Sequence, residues 1–427
     1  MVHQTISTKI EPAARASSKI NHMLLSSPIS ACTVCRFPRA AQNALLWGLL
    51  SLLVACASPS LAPPVSTAPS APAAAPPSAP ISSTPSSKPP ELPSPEVLGR
   101  DVRRSRWVVV DWEELPGWRQ ESMAEAWNVL LLNCERPGAT MATLCPDIRR
   151  LSIASEQAQR EWLERRMQAH RLESWEGDAN GLLTAYYEPI FEAQRQPSEL
   201  FATPLHAPPA GMRSGLPWFT RQEIDTTPAA QAALKGRVIA WLADPVDALI
   251  LQIQGSGRLR ITEPDGQVRT VRLSYAASNE QPYQSVGRWL LDKGEVKDAS
   301  WPGIKAWMQR NPQRVQSLLW VNTRYVFFKE EALPDATVGP RGAQGLPLTA
   351  GRSIAVDPQS IPYGTPLWLA SPGPTQAVQR LVVAQDTGSA IVGAVRADLF
   401  MGTGPQAGEL AGRMKQPLRL WALWPRP

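Results

Sequence analysis

Histidine is scarce: the chain has only four in 427 residues. His3 and His22 lie near the start, and His170 and His206 share no spacing suited to a metal. A zinc hydrolase or a His-activated nucleophile is therefore poorly supported. No metal and no cofactor is expected. Net charge is equally scarce where it would matter. The total is +6, but Lys9, Arg15, Lys19, Arg36 and Arg39 against Glu11 put +4 of it ahead of Cys56, leaving +2 for everything after. A body so near neutral argues against a nucleic-acid partner. It suits a polar, uncharged polymer such as a glycan. The 16 tryptophans fit that reading too, although Trp is core material first. Long apolar runs are also missing. Residues 44–55 form a run of about a dozen, the length of a signal-peptide core and too short to span a bilayer comfortably.

That run follows Arg36 and Arg39 and ends in Leu53-Val54-Ala55-Cys56. The order resembles a bacterial lipobox, in which the cysteine is acylated and becomes the new N-terminus. Residues 1–55 are thus expected to be a lipoprotein signal peptide, with Cys56 the lipidation site. The alternative is an ordinary secretion signal with a chance cysteine. Ala57, rather than Asp, after the cysteine implies the periplasmic face of the outer membrane. Residues 56–97 are almost entirely Pro, Ala and Ser, too poor in apolar side chains to order themselves. They are expected to form a stiff, extended tether reaching on the order of 100 Å. Of the five cysteines, Cys32 and Cys35 belong with the leader, so Cys134 and Cys145 are left as a candidate disulfide in an oxidising compartment.

From residue 101 the composition becomes mixed. Residues 107–112 read as a strand, and 119–133 and 146–172 as helices. Short strands follow at 182–187, 238–241, 248–254 and 268–273. Helices at 282–293 and from Ser300 interrupt them, Ser300 acting as N-cap with Pro302 in the first turn. Strands resume at 353–357, 366–370, 379–385 and 418–423. The body is expected to be mainly β with flanking helices, barrel-like rather than doubly wound.

Three aspartates stand out near the end of the chain. Asp357 follows a strand, Asp386 ends one in Val382-Val383-Ala384-Gln385-Asp386-Thr387-Gly388, and Asp398 precedes the apolar pair Leu399-Phe400. Partial desolvation and a second nearby carboxylate both raise a carboxyl pKa. A raised pKa is what a general acid needs near neutral pH. The bland alternative is that they cap turns; Asp357, before a proline, favours it.

Several segments carry a resemblance. They are Leu183-Thr184-Ala185-Tyr186-Tyr187-Glu188-Pro189, Gln252-Ile253-Gln254-Gly255-Ser256-Gly257, Ser285-Val286-Gly287-Arg288, Tyr325-Val326-Phe327-Phe328, Pro347-Leu348-Thr349-Ala350-Gly351-Arg352 and Gly402-Thr403-Gly404-Pro405-Gln406-Ala407-Gly408. In this order they resemble the family of membrane-bound lytic transglycosylases A, with its C-terminal "3D" domain named for three aspartates. The resemblance implies a double-psi β-barrel domain, residues 98–184 with 335–427, split by an inserted smaller β-barrel-like domain, residues 185–334. The substrate groove lies between them. It implies peptidoglycan glycan strands as substrate and Asp398 as the catalytic group, supported by Asp386 and Asp357. One carboxyl suffices, because the O6 hydroxyl of the muramic acid closes onto C1 and no water has to be activated. Groove candidates are Tyr186, Tyr187, Gln254, Gly255, Ser256, Gly257, Tyr275 and Asn279. Further partners suggested are membrane lipid, through Cys56, and cell-wall synthesis or divisome proteins.

Two rivals stand beside this reading. Asp386-Thr387-Gly388 after an apolar strand is how an aspartic protease presents a carboxylate, but that chemistry needs two copies and the chain has one. A non-enzymatic peptidoglycan-binding anchor explains the lipid and tether but not three carboxylates gathered in the terminal strands.

Overall fold

A computed structural model describes residues 104–426. Cys56, the signal peptide and the tether lie outside the described residues. Among the described residues, fourteen strands form two sheets. β1 (Arg106–Val110), β2 (Met167–Glu173) and β3 (Gly181–Glu188) belong to the first. The second holds β4 (Ile190–Gln194), β5 (Thr203–His206), β6 (Val238–Leu242), β7 (Ser256–Thr262), β8 (Val268–Ser278) and β9 (Val326–Ala332). The chain then returns to the first sheet with β10 (Ser353–Val356), β11 (Pro366–Ser371), β12 (Val378–Asp386), β13 (Arg396–Thr403) and β14 (Lys415–Pro425).

The first sheet runs β1-β2-β14-β11-β12-β10-β13-β3, and β14 also pairs with β3. That extra pairing closes β14, β11, β12, β10, β13 and β3 into a barrel-shaped ring, so these strands have no free edge. The sequence of the ring strands explains the closure. Along β11 and β12 every residue of the stretches 366–371 and 381–385 is buried, yet alternate residues go to different cores. Leu367, Leu369, Val382 and Ala384 fill the barrel interior with Leu183, Ile354, Ala397, Leu399 and Leu420. Trp368, Leu381, Val383 and Trp421 face outward and are covered by Met123, Trp127 and Leu130 of the helix Met123–Asn133. The period of two that sorts inside from outside in a half-buried strand here sorts two buried layers. A disulfide joins Cys134 to Cys145 and ties the end of that helix to the start of the helix Cys145–Arg150.

The second sheet runs β5-β6-β4-β7-β8-β9 around its own core of Leu205, Leu251, Leu259, Leu273 and Phe328. Helices Pro245–Gln254, Val286–Asp292, Trp301–Arg310 and Val315–Val321 pack over it. β3 pairs with β13 as far as Glu188, so it straddles the 184/185 boundary expected from sequence.

Two expected elements differ. Residues 248–254 are helical, not extended: Asp244 caps the backbone of Val246, Pro245 occupies the first turn, and Gly255 ends the helix at φ 79°. The expected helix 146–172 breaks at the tight turn Leu151–Ile153 and ends at Arg166. Its last part is β2, so His170 sits in a strand, stacked near Trp107, not in a helix. Tertiary pairing with β1 and β14 overrides the helical spacing there.

Candidate active site

β13 carries Asp398 between Ala397 and Leu399, both of which point into the barrel. Asp398 therefore faces outward, away from the barrel interior. It pairs across β10 with Ala355 and across β3 with Thr184. Asp386 should face the other way, because Val382 and Ala384, at the same parity on β12, fill the interior. It does not, because the β10–β12 register shifts: Ile354 is opposite Ala384, but Ala355 is opposite Asp386. The skipped residue, Gln385, is buried and accepts the Ser353 hydroxyl at 2.5 Å. A one-residue shift turns a side chain to the opposite face. The two carboxylates thus flank Ala355 on one face, about 10 Å apart at the backbone by the spacing of two strands.

Each carboxylate has its own surroundings. The Thr184 hydroxyl donates to Asp398 Oδ1 and is itself held by Arg396 Nη2 at 2.8 Å. Burial raises the Asp398 pKa above the ordinary value, with the Thr184 bond and the Arg396 charge pulling it partly back. Asp386 Oδ2 accepts the Tyr186 hydroxyl at 2.8 Å, and its Oδ1 accepts the backbone N–H of Ala343 at 2.9 Å. Burial pushes Asp386 up to about 6, against those hydrogen bonds and with help from the charge of Asp398. Tyr186 stacks near Phe400, at 5.4 Å, and its own pKa is raised well above 10 by burial.

Asp357 does a different job. Oδ1 accepts the N–H of Gln359, and Oδ2 accepts Gly393 N–H at 3.0 Å and Arg104 Nη1 at 3.2 Å. It fastens the loop after β10 to the loop before β13. Its contribution to the site is to the shape of these loops.

A cavity of about 550 Å³ lies between the barrel and the second sheet. Tyr186, Asp386, Thr387 and Gly388 line one wall; Gln254, Gly255, Ser256, Tyr275, Lys329 and Glu331 line the other. Of the candidate groove residues, Tyr186, Gln254, Gly255, Ser256 and Tyr275 therefore meet in one place. Tyr275 is 47% exposed there, an available ring face. Three do not line it. Tyr187 gives its backbone N–H to Gln254 Oε1, and its ring packs against Gly408, where an added Cβ would lie 2.7 Å from ring carbon. Gly257 allows Leu251 and Pro189 to close over it. Asn279 is fully buried, donating to Phe219 and Thr323 carbonyls and accepting from the Tyr325 N–H. These three build the cleft walls from behind.

Sequence reasoning missed Thr184, Arg396, Lys329, Glu331 and Glu188. Glu188 is 0% exposed at the point where the chain leaves the barrel. It takes Arg258 Nε at 2.8 Å, Arg272 Nε at 2.6 Å and the Thr403 hydroxyl at 2.8 Å. The same arginines donate to the Ala336 and Val338 carbonyls of the turn after β9. One carboxylate and its two arginines therefore tie β3, β7, β8 and β13 to the segment that leads back to the first sheet.

Family models match two stretches: the MltA specific insert domain at residues 182–329 and the 3D domain at residues 352–424. The membrane-bound lytic murein transglycosylase A of Vibrio cholerae is 32% identical over 271 residues, 60% of this chain and 69% of that protein. The Escherichia coli K12 protein of the same name is 32% identical over 290 residues, 63% and 75%. Among solved structures, the lytic transglycosylase LtgG of Burkholderia pseudomallei is 41% identical with a TM-score of 0.52, covering 75% of this chain and 96% of its own. MltA from Neisseria gonorrhoeae is 32% identical, TM-score 0.62, over 76% and 95%. E. coli MltA with bound chitohexaose is 27% identical, TM-score 0.60, over 75% and 95%.

Proposed function

The chain belongs to the membrane-bound lytic murein transglycosylase A family and acts on the glycosidic bonds of peptidoglycan, and from that premise we propose that Asp398 is its acid and then its base. The observation that carries this is the pairing of a raised pKa with a single, positioned hydrogen bond. Burial keeps the Asp398 carboxyl protonated beyond its ordinary range, while the Thr184 hydroxyl on Oδ1 fixes the orientation of the group.

The carboxyl gives its proton to the oxygen joining N-acetylmuramic acid to N-acetylglucosamine, and that bond breaks toward an oxocarbenium-like state. The carboxylate so formed takes the proton of the same muramic residue's O6 hydroxyl, and O6 bonds to C1. The product is a 1,6-anhydromuramic end, the proton inventory closes, and no water is consumed. The glycan would lie along Tyr275, Gln254 and Ser256, whose ring face and uncharged hydrogen-bonding groups suit a neutral polymer. The related E. coli protein has been crystallised with bound chitohexaose, which supports a glycan as the ligand class. Asp386 would restrain Asp398 electrostatically while holding Tyr186. The lipid anchor on Cys56, attachment at the outer membrane and the extended tether belong to the same proposal, supported by the lipobox order in the sequence.

A second reading has one observation in its favour. Asp386, not Asp398, lines the cavity, and a pKa of about 6 suits an acid near neutral pH. Mass spectrometry of sacculi digested by the purified protein separates the two. With Asp398→Asn, anhydromuropeptides should vanish, while Asp386→Asn should leave a reduced but measurable yield. The reverse pattern makes Asp386 the acid. Binding to sacculi with no released product from the unaltered chain would favour the anchor, and ordinary reducing ends would indicate a hydrolase.

A further inference from the structure

Behind the cleft, the second sheet and its helices enclose another cavity of about 390 Å³. Its lining includes His206, Arg221, Asp225, Gln252, Trp320 and Tyr325. It adjoins a wider, more apolar hollow that shares Pro204, His206 and Asp225 with it. Gln252 lines both this cavity and the active-site cleft.

Arg221 is 6% exposed. Its Nε donates to the Asn322 carbonyl at 2.9 Å, and its Nη2 to the Arg324 carbonyl at 2.7 Å and Gln252 Oε1 at 2.5 Å. Its guanidinium lies 5.1 Å from the Tyr325 ring centroid. Every one of these partners is neutral. A buried cation normally has a carboxylate, because desolvation costs several kcal/mol otherwise. Asp225 stands four residues along the helix Arg221–Thr226, a spacing at which opposite charges usually meet. It makes no direct salt bridge with Arg221, although each charge acts on the other through space. Its Oδ2 instead accepts Trp320 Nε1 and Gln316 Nε2, both at 2.8 Å. His206 adds no charge of its own: burial lowers its pKa to about 4, and Nδ1 is hydrogen-bonded to the Tyr325 hydroxyl at 2.8 Å.

Two opposite charges thus face one cavity, each hydrogen-bonded to neutral partners and each acting on the other only through space, without a direct salt bridge. We propose that this cavity is a binding site for a zwitterionic α-amino carboxylate, the carboxylate on Arg221 and the ammonium on Asp225, with Trp320 and Pro204 beside the side chain. Two sources carry that chemistry: a free amino acid, and a peptide cross-bridge residue of the wall whose ammonium and carboxylate share one carbon. Only the second source rests on the peptidoglycan reading of the cleft.

Isothermal titration calorimetry of the full chain tests it, using D-alanine and a soluble muropeptide bearing a diamino acid with a free ammonium and carboxylate. Saturable binding of either is expected, and the one that binds identifies the source. N-acetyl-D-alanine and D-alaninamide should bind about tenfold more weakly or not at all, since each lacks one charge-assisted contact. Asp225→Asn, which touches no backbone carbonyl, should weaken binding by a similar factor, and Arg221→Gln should abolish it. Asp398→Asn should bind unchanged, so loss of catalysis and loss of this site are separable. No saturable binding of either ligand, or equal binding of the acetylated and amidated analogues, overturns the proposal. So does unchanged binding by Asp225→Asn, which decides the matter if the Arg221 variant fails to fold.

Discussion

Asp386 and Asp398 face the same side of the barrel wall only because the strand pairing slips by one residue at Gln385. With an unbroken register Asp386 would join Val382 and Ala384 in the apolar interior. Deleting Gln385 removes the extra residue and leaves Asp386 opposite Ala355, so the carboxylate should keep its face while the Ser353–Gln385 hydrogen bond is lost. The measurable outcome is a stability loss of about 1 kcal/mol with anhydromuropeptide formation retained. A folded deletion variant that forms no anhydromuropeptides would refute this account of the slip.

The pKa of Asp386, about 6 in the folded chain against an ordinary value near 4, makes stability depend on pH. The folded state binds the extra proton across that window. Its contribution is therefore most favourable below the unfolded pKa and is lost as pH rises through about 6. The span is roughly 3 kcal/mol. Urea denaturation at pH 4.5 and pH 7.5 should show Asp386→Asn relatively more stabilised at the higher pH. An identical difference from the parent at both values would contradict this.

Thr184 donates to the ionised form of Asp398, which lowers that pKa. Thr184→Val should raise it further, because a hydrogen bond to the charged form is lost. The alkaline limb of the rate profile should move up accordingly, and Thr184→Ser should restore it. Turnover of a soluble glycan as a function of pH is the measurement.

Glu188 neutralises two buried guanidinium groups at the seam of the molecule. Removing one member of such a cluster leaves uncompensated charge. Glu188→Ala should cost about 3–5 kcal/mol. Because the cluster spans barrel and inserted sheet, the denaturation curve should also split toward two transitions. A single, unshifted transition would show the seam to be unimportant.

Reduction of Cys134–Cys145, which closes a loop with a sequence separation of 11, should lower stability by about 2–3 kcal/mol. The bond lies on the helix layer, away from the cleft, so activity below the melting range should persist. Urea midpoints and product yields with and without dithiothreitol check both halves.

Much of this could be read from residues close together in sequence. The strands around Val356 and Val383 announce themselves by apolar runs, and the helix after Ser300 by its cap, which accepts the Gly303 N–H. Asp244-Pro245 and Gly255 were equally legible helix signals, but the apolar run between them mimics a buried strand. What could not be read depends on distant pairing. The Thr184 hydroxyl acquires meaning only opposite Asp398, 214 residues away. Glu188 gains its role from Arg258 and Arg272, 70 and 84 residues on. Asn279 offers the same amide to solvent or to a buried backbone, and only the packing around Phe219 and Tyr325 chooses.

β14 closes the ring by pairing with β11 on one edge and with β3 on the other, setting Lys415 beside Thr184. β3 is thereby held between β13 and β14, and with it the hydroxyl that orients the Asp398 carboxyl. Closure of the ring and the aim of the proposed acid are thus one mechanical property: whatever loosens β14 slackens both.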